Sequence, residues 1–225
     1  MTFEDWNDKG DRLFDQDLCK QAIDCYDKAL KLDSRNVRTL VSKGSALNKL
    51  KLYEEAIQCY DPALKVDPVF APTWTLKGVS LTHLGRYEDA IVCYDKALEL
   101  DPFHVLALTN KGNTLNKMGR YEDAIVYLNK ALEQDPENVF TLTNKGNGLL
   151  RLGRYEETLC CYDKVLVFDP SNIIIWYNKA CVEYMLGQKR ETVRSYRQFL
   201  ALKPASKYQP QIEVACKYLL KLEGN

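Results

Sequence analysis

The sequence has no surplus of either charge, with 31 lysines and arginines facing 31 aspartates and glutamates among 225 residues. A protein that grips nucleic acid by neutralising phosphates carries a cationic excess, so no nucleic-acid partner is expected. Long apolar runs are missing too. No stretch reaches the roughly 18 residues that mark a membrane helix, and the opening Met-Thr-Phe-Glu-Asp-Trp lacks a secretory signal's basic and then apolar regions. These absences predict a cytoplasmic protein with no membrane partner. Histidine is scarce, only His83 and His104, and no Cys-x-x-Cys pair occurs; a zinc site has no ligand set. Neither histidine has a nucleophile at a fitting spacing and no glycine loop could cradle a phosphate, so no enzyme activity and no cofactor or metal are expected.

Cysteine is the exception to this scarcity, with eight residues. Their placement argues against disulfides. Cys25, Cys59 and Cys93 follow one another at 34-residue intervals and Cys161 falls in the same column. Equivalent residues on stacked helices lie roughly 10 Å apart, too far for a disulfide bond. They read as small, half-buried apolar side chains of a protein kept in a reducing compartment.

The same interval governs the whole chain. Gly10, Gly44, Gly78, Gly112 and Gly146 recur every 34 residues, with Ala180 completing the column. Pro68, Pro102, Pro136, Pro170 and Pro204 form a second column headed by Ser34, and Tyr26, Tyr60, Tyr94, Tyr162 and Tyr196 a third in which Leu128 substitutes. Six gapless copies result, 3–36, 37–70, 71–104, 105–138, 139–172 and 173–206, followed by a tail, 207–225. A fixed period of this length is the mark of a stacked solenoid.

Within a copy the apolar spacing is helical. In the third, Trp74, Leu81 and Leu84 lie on one face of a helix that Pro72 can open and Gly85 can end. A second helix carries Tyr87, Ala90, Ile91, Tyr94, Ala97 and Leu98 on one stripe, until Asp101-Pro102 stops it. Gly78 and Ala90 are placed where the two helices should cross closely. One such hairpin cannot bury both its helices, so every copy needs neighbours.

These residues resemble the tetratricopeptide repeat (TPR) family, whose Trp, Gly, Tyr, Ala, Tyr or Phe, Ala, Pro series they repeat. The Asn-Lys-Gly and Gly-Arg-Tyr-Glu-Asp-Ala-Ile wording is similar to prokaryotic, archaeal-looking members. The resemblance implies an all-α protein, a right-handed α-solenoid of six helix-turn-helix repeats plus a C-terminal capping helix. It further implies a non-enzymatic scaffold or adaptor that binds a protein or extended peptide in a concave groove lined by the first helix of each copy. The groove columns hold Thr75, Thr109, Asn110, Asn113, Asn144 and Asn147, and toward the end Tyr177, Asn178 and Tyr184. Asn110, Asn144 and Asn178 share one column, a ladder of amides able to pair with a peptide backbone of any sequence. Thr109, Ile174 and Asn178 stand where a two-carboxylate clamp for acidic C-termini would need cations, so that binding mode is not expected.

The departures from the repeat carry their own expectations. Glu183 stands in a column otherwise held by Leu13, Leu47, Leu81, Leu115 and Leu149, and Pro62 falls inside a second helix where other copies have Lys or Gln. The seventh residue of every copy is lysine, Lys9, Lys43, Lys77, Lys111, Lys145 and Lys179. Their stems should pack along hairpin junctions with the ammonium groups in solvent. Residues 3–36 hold nine acidic and six basic side chains, whereas 173–225 hold nine basic and four acidic. Oppositely charged ends suggest the alternative function, a structural scaffold that self-associates weakly end to end. In the tail, Ile212, Cys216, Leu219 and Leu222 form an apolar stripe fit to cover the last hairpin.

Overall fold

A computed structural model describes residues 2–223, and every regular element among them is helical. The chain falls into two compact units, residues 1–114 and 115–225. The first holds α1 (Phe3–Asp15), α2 (Cys19–Leu32), α3 (Val37–Lys49), α4 (Tyr53–Val66), α5 (Ala71–His83), α6 (Tyr87–Leu100) and most of α7 (Val105–Lys117). The second holds α8 (Tyr121–Gln134), α9 (Val139–Arg151), α10 (Tyr155–Phe168), α11 (Ile173–Met185), α12 (Lys189–Ala201) and α13 (Gln209–Glu223). Within each unit successive helices pack on one another, α6 and α7 through Ala97, Ala107 and the Asp95–Lys111 ion pair, and in the first unit the odd-numbered helices α1, α3 and α5 also touch in series. This is the helix-turn-helix stacking of a TPR solenoid.

In three copies the closing residue is an asparagine that caps the next first helix. Asn36, Asn138 and Asn172 accept from the backbone N–H groups of Thr39, Thr141 and Ile175 at 3.1, 2.9 and 3.2 Å. The second helices α2, α4, α6, α8 and α10 stop at an aspartate whose own N–H still bonds back, as Asp33 to Ala29 and Asp101 to Ala97. The carboxylate then accepts from the N–H two residues on, Arg35, Val69 and Phe103 at 3.1–3.2 Å. The turn is the same in the first copy, where Ser34 replaces proline; the aspartate therefore makes the break and the proline only reinforces it.

Between the two helices of a hairpin the chain passes through a left-handed residue. Gly85, Gly119, Gly153 and Gly187 take it with φ of 72–78°, but the first two copies put Asp17 (63°) and Lys51 (62°) there. These side chains hold a conformation that only glycine adopts without cost.

The glycine column has a purpose finer than helix crossing. A Cβ added to Gly10, Gly44, Gly78 or Gly146 would fall within 2.7 Å of Cε1 of Tyr26, Tyr60, Tyr94 or Tyr162. Each of these tyrosines is fully buried, its ring lying on bare backbone of the first helix. Burial raises their hydroxyl pKa values; Tyr94 is pushed up to about 12. The thiols beside them behave alike: burial lifts Cys93 to about 11 and also raises Cys59 and Cys161. None of the eight cysteines is in a disulfide.

Pro62 leaves α4 unbroken through Val66. Glu183 is 3% exposed, inside the layer its column's leucines would occupy. The tail starts with a 3₁₀ turn, Ser206–Tyr208, and α13 covers the last hairpin through Ile212, Ala215, Tyr218 and Leu219. Its buried face is rotated from the stripe read in the sequence: Ala215 is buried and Cys216 exposed.

Candidate functional site

Two sets of polar side chains recur along the helices, and they do different things. The first set ties neighbouring hairpins together. In the first unit the Thr39 hydroxyl donates to Asn7 Oδ1 at 2.7 Å, Ser80 Oγ to Asn48 Oδ1 at 2.7 Å, and Thr82 and Thr114 share a hydroxyl hydrogen bond of 2.8 Å. The last two pairs join the twelfth residue of one copy to the tenth of the next. In the second unit that relation brings Asn116 so close to Gly148 that a Cβ there would lie 2.7 Å from Asn116 Oδ1, while Asn116 Nδ2 donates to the Asn144 carbonyl at 2.8 Å. At the same two positions Leu150 and Val182, and Phe14 and Ala46, belong to shared apolar clusters instead.

Lysines of the seventh column form a further inter-hairpin link. Lys43 reaches Asp27 and Lys77 reaches Asp61, both at 2.6 Å, and Lys111 and Lys179 pair with Asp95 and Asp163. The ammonium groups thus end on carboxylates of the preceding second helix rather than in open solvent. For Lys43, burial pulls the pKa down, but the Asp27 hydrogen bond and charge outweigh it and the net shift is upward. The sequence held the signal, since aspartate recurs at Asp27, Asp61, Asp95 and Asp163 with the same 16-residue offset to lysine.

The nine residues read from the sequence as groove-facing divide by burial. In the first unit Thr75 and Thr109 are buried, and Thr75 bonds its own helix at Ala71. Asn110 and Asn113 are half-exposed; Asn110 Nδ2 donates to Leu106 at 2.8 Å, while Asn113 bonds no described residue. In the second unit Asn144 is 7% exposed, its Nδ2 without a partner among the described residues. Asn147 is exposed, and only its Oδ1 is engaged, by the Tyr162 hydroxyl at 2.9 Å. Asn178 is half-exposed and also lies against that hydroxyl. Tyr177 packs on Phe199 at 5.4 Å between ring centres; Tyr184 packs on Tyr218 at 4.4 Å and accepts from Lys221 at 3.2 Å. These two aromatics belong partly to the end core, Tyr184 being covered by α13.

His83 stacks flat on Tyr53 at 4.6 Å. Among the described residues, no group of His, Cys, Asp and Glu could hold a metal ion, and no helix is long and apolar enough to cross a membrane.

Paired helices of fixed length, bonded copy to copy and presenting unspent amides on the first helices, define a helical-repeat scaffold. The chain belongs to the tetratricopeptide repeat family: sequence profiles so described match residues 7–69, 71–104 and 105–138, more than half of it. The fold is similar to that of PilW, a widely conserved type IV pilus biogenesis factor, at 19% identity over 93% of this chain and 98% of that one, with a TM-score of 0.85. It is similar to a thermophilic TPR protein of Thermus thermophilus at 18% identity, over 80% of this chain and 98% of that one, with a TM-score of 0.67. A third likeness is to YrrB, a TPR protein with an unusual peptide-binding site, at 23% identity over 77% and 90% of the respective chains, with a TM-score of 0.62. At these identities the likeness concerns the fold. A comparison with curated proteins finds no match.

Proposed function

We propose that the chain is an adaptor that holds a protein partner by binding an extended peptide segment in the groove along its first helices. The observation that supports this reading is the contrast between the two polar sets. Ser80, Thr82, Thr114 and the Asn116 amide nitrogen hydrogen-bond between hairpins, whereas Asn113 and the Asn147 amide nitrogen are half-exposed or exposed and bond no described residue. An amide offers two donors and an acceptor, the complement of a peptide group, and it pairs with backbone whatever the side chains. Asn110 and Asn178 flank these groups on the same faces, and the fold likeness to the peptide-binding YrrB agrees with the assignment.

Eight cysteines without a disulfide, five of them buried, suit a reducing compartment, the cytoplasm. End-to-end self-association is less favoured. Head-to-tail stacking would extend the lysine–aspartate links, yet the sixth copy puts Arg197 in the aspartate column, opposite the Lys9 of a following molecule. The test is peptide binding by the wild type and by an Asn113→Ala/Asn147→Ala variant; equal affinity would contradict the assignment.

A further inference from the structure

The helix α8 departs from the other second helices over one turn. In α2, α4, α6 and α10 the run is Cys-Tyr-Asp, ending at Asp27, Asp61, Asp95 and Asp163; in α8 it is Tyr127-Leu128-Asn129. Each of those four aspartates holds the lysine 16 residues later. Asn129 has the same relation to Lys145 but brings no charge, and Lys145 pairs with no carboxylate among the described residues.

A cavity of about 140 Å³ opens beside Lys145, lined from α8, α9 and α10. Leu132, Leu142 and Leu149 give it apolar walls, and Lys145 and Lys164 bring two positive charges. Glu157 lines it as well, but both its oxygens are taken by Arg154, at 2.6 and 2.7 Å. Arg154 chiefly, and Lys145 at longer range, hold the Glu157 pKa down. The site thus sets two lysines, neither in a close ion pair among the described residues, beside aliphatic surface, and its volume admits one side chain rather than a folded element. A carboxylate entering it would gain from attraction to both lysines and from partial exclusion of water by the leucines.

We propose that this cavity takes the carboxylate of an aspartate or glutamate presented by a helix of a partner protein. The chain supplies the precedent four times over, because the lysine of this column is met each time by an aspartate on a helix surface. The fourth junction leaves that partner to be provided from outside. The contact is separate from the amides of the first helices, and it stands or falls independently of the peptide reading.

The probe is N-acetyl-aspartate N-methylamide, titrated into the full chain and followed by amide chemical shifts. Saturable shifts at Lys145 and Leu142 are expected, with none for the blocked asparagine. Asn129→Asp gives Lys145 the carboxylate that the other four junctions have, and should abolish the response while raising the melting temperature. Lys145→Met should abolish it as well. The proposal is overturned by no response to blocked aspartate, by a response that persists in Asn129→Asp, or by saturation with free glutarate alone, which would assign the cavity to a small diacid.

Discussion

Ser80 Oγ donates to Asn48 Oδ1 at 2.7 Å, and Asn48 Nδ2 passes on to the Tyr60 hydroxyl at 3.1 Å. One hydrogen-bonded chain thus joins the third copy to both helices of the second. Ser80→Ala would leave Asn48 Oδ1 without its donor in a half-buried junction. A loss of about 1 kcal/mol is expected in denaturant unfolding at unchanged m-value. An unchanged midpoint would show that the junction tolerates the orphaned oxygen.

Lys51 offers the opposite sign. It holds φ of 62° on an exposed turn, in the position where four other copies use glycine. Lys51→Gly removes the strain of a left-handed side chain, offset in part by the greater freedom of the unfolded chain, and should raise stability by about 0.5–1 kcal/mol. A thermal melt decides; a lower Tm would mean that the turn is not strained.

Glu183 makes stability depend on pH. Burial raises its pKa above the ordinary 4.5, only partly countered by the Ser195 hydrogen bond and the Lys179 charge, and its Oε2 has no partner among the described residues. The folded state thus binds this proton more tightly than the unfolded state does. Its contribution is present in full below about pH 4.5 and is lost as pH rises through the folded-state pKa. Glu183→Leu, the residue of its column, should raise Tm more at pH 8 than at pH 4. An equal gain at both would place the ionisation outside the fold's energetics.

How much of this was open to reading follows from where each signal lies. Gly78, Tyr94 and Pro102 repeat at one interval, and a chain that stacks identical hairpins needs little more to declare its helices. The purpose of Gly78 was hidden, because it depends on a ring 16 residues away lying on its backbone. The same offset concealed the partners of Lys43 and Lys77: both columns are visible, but pairing them needs the rotation of one helix against the next. Asn36, Asn138 and Asn172 were legible caps, standing just before a helical run. Asn110, Asn144 and Asn178 look equivalent in sequence, yet only Asn144 is buried, because the Asn116 amide reaching to the Asn144 carbonyl packs against that stretch of α9.

The central claim, that unspent amides on the first helices bind an extended peptide, is tested most directly by selecting a ligand from a random peptide library and mapping it by amide chemical shifts. The account predicts shifts at Asn110 and Asn113 in the first unit, or at Asn147 and Asn178 in the second. It also predicts an affinity loss on the order of tenfold, about 1.4 kcal/mol, in Asn113→Ala/Asn147→Ala at unchanged Tm. Shifts confined to the second helices, or equal affinity of the double variant and the wild type, would contradict it.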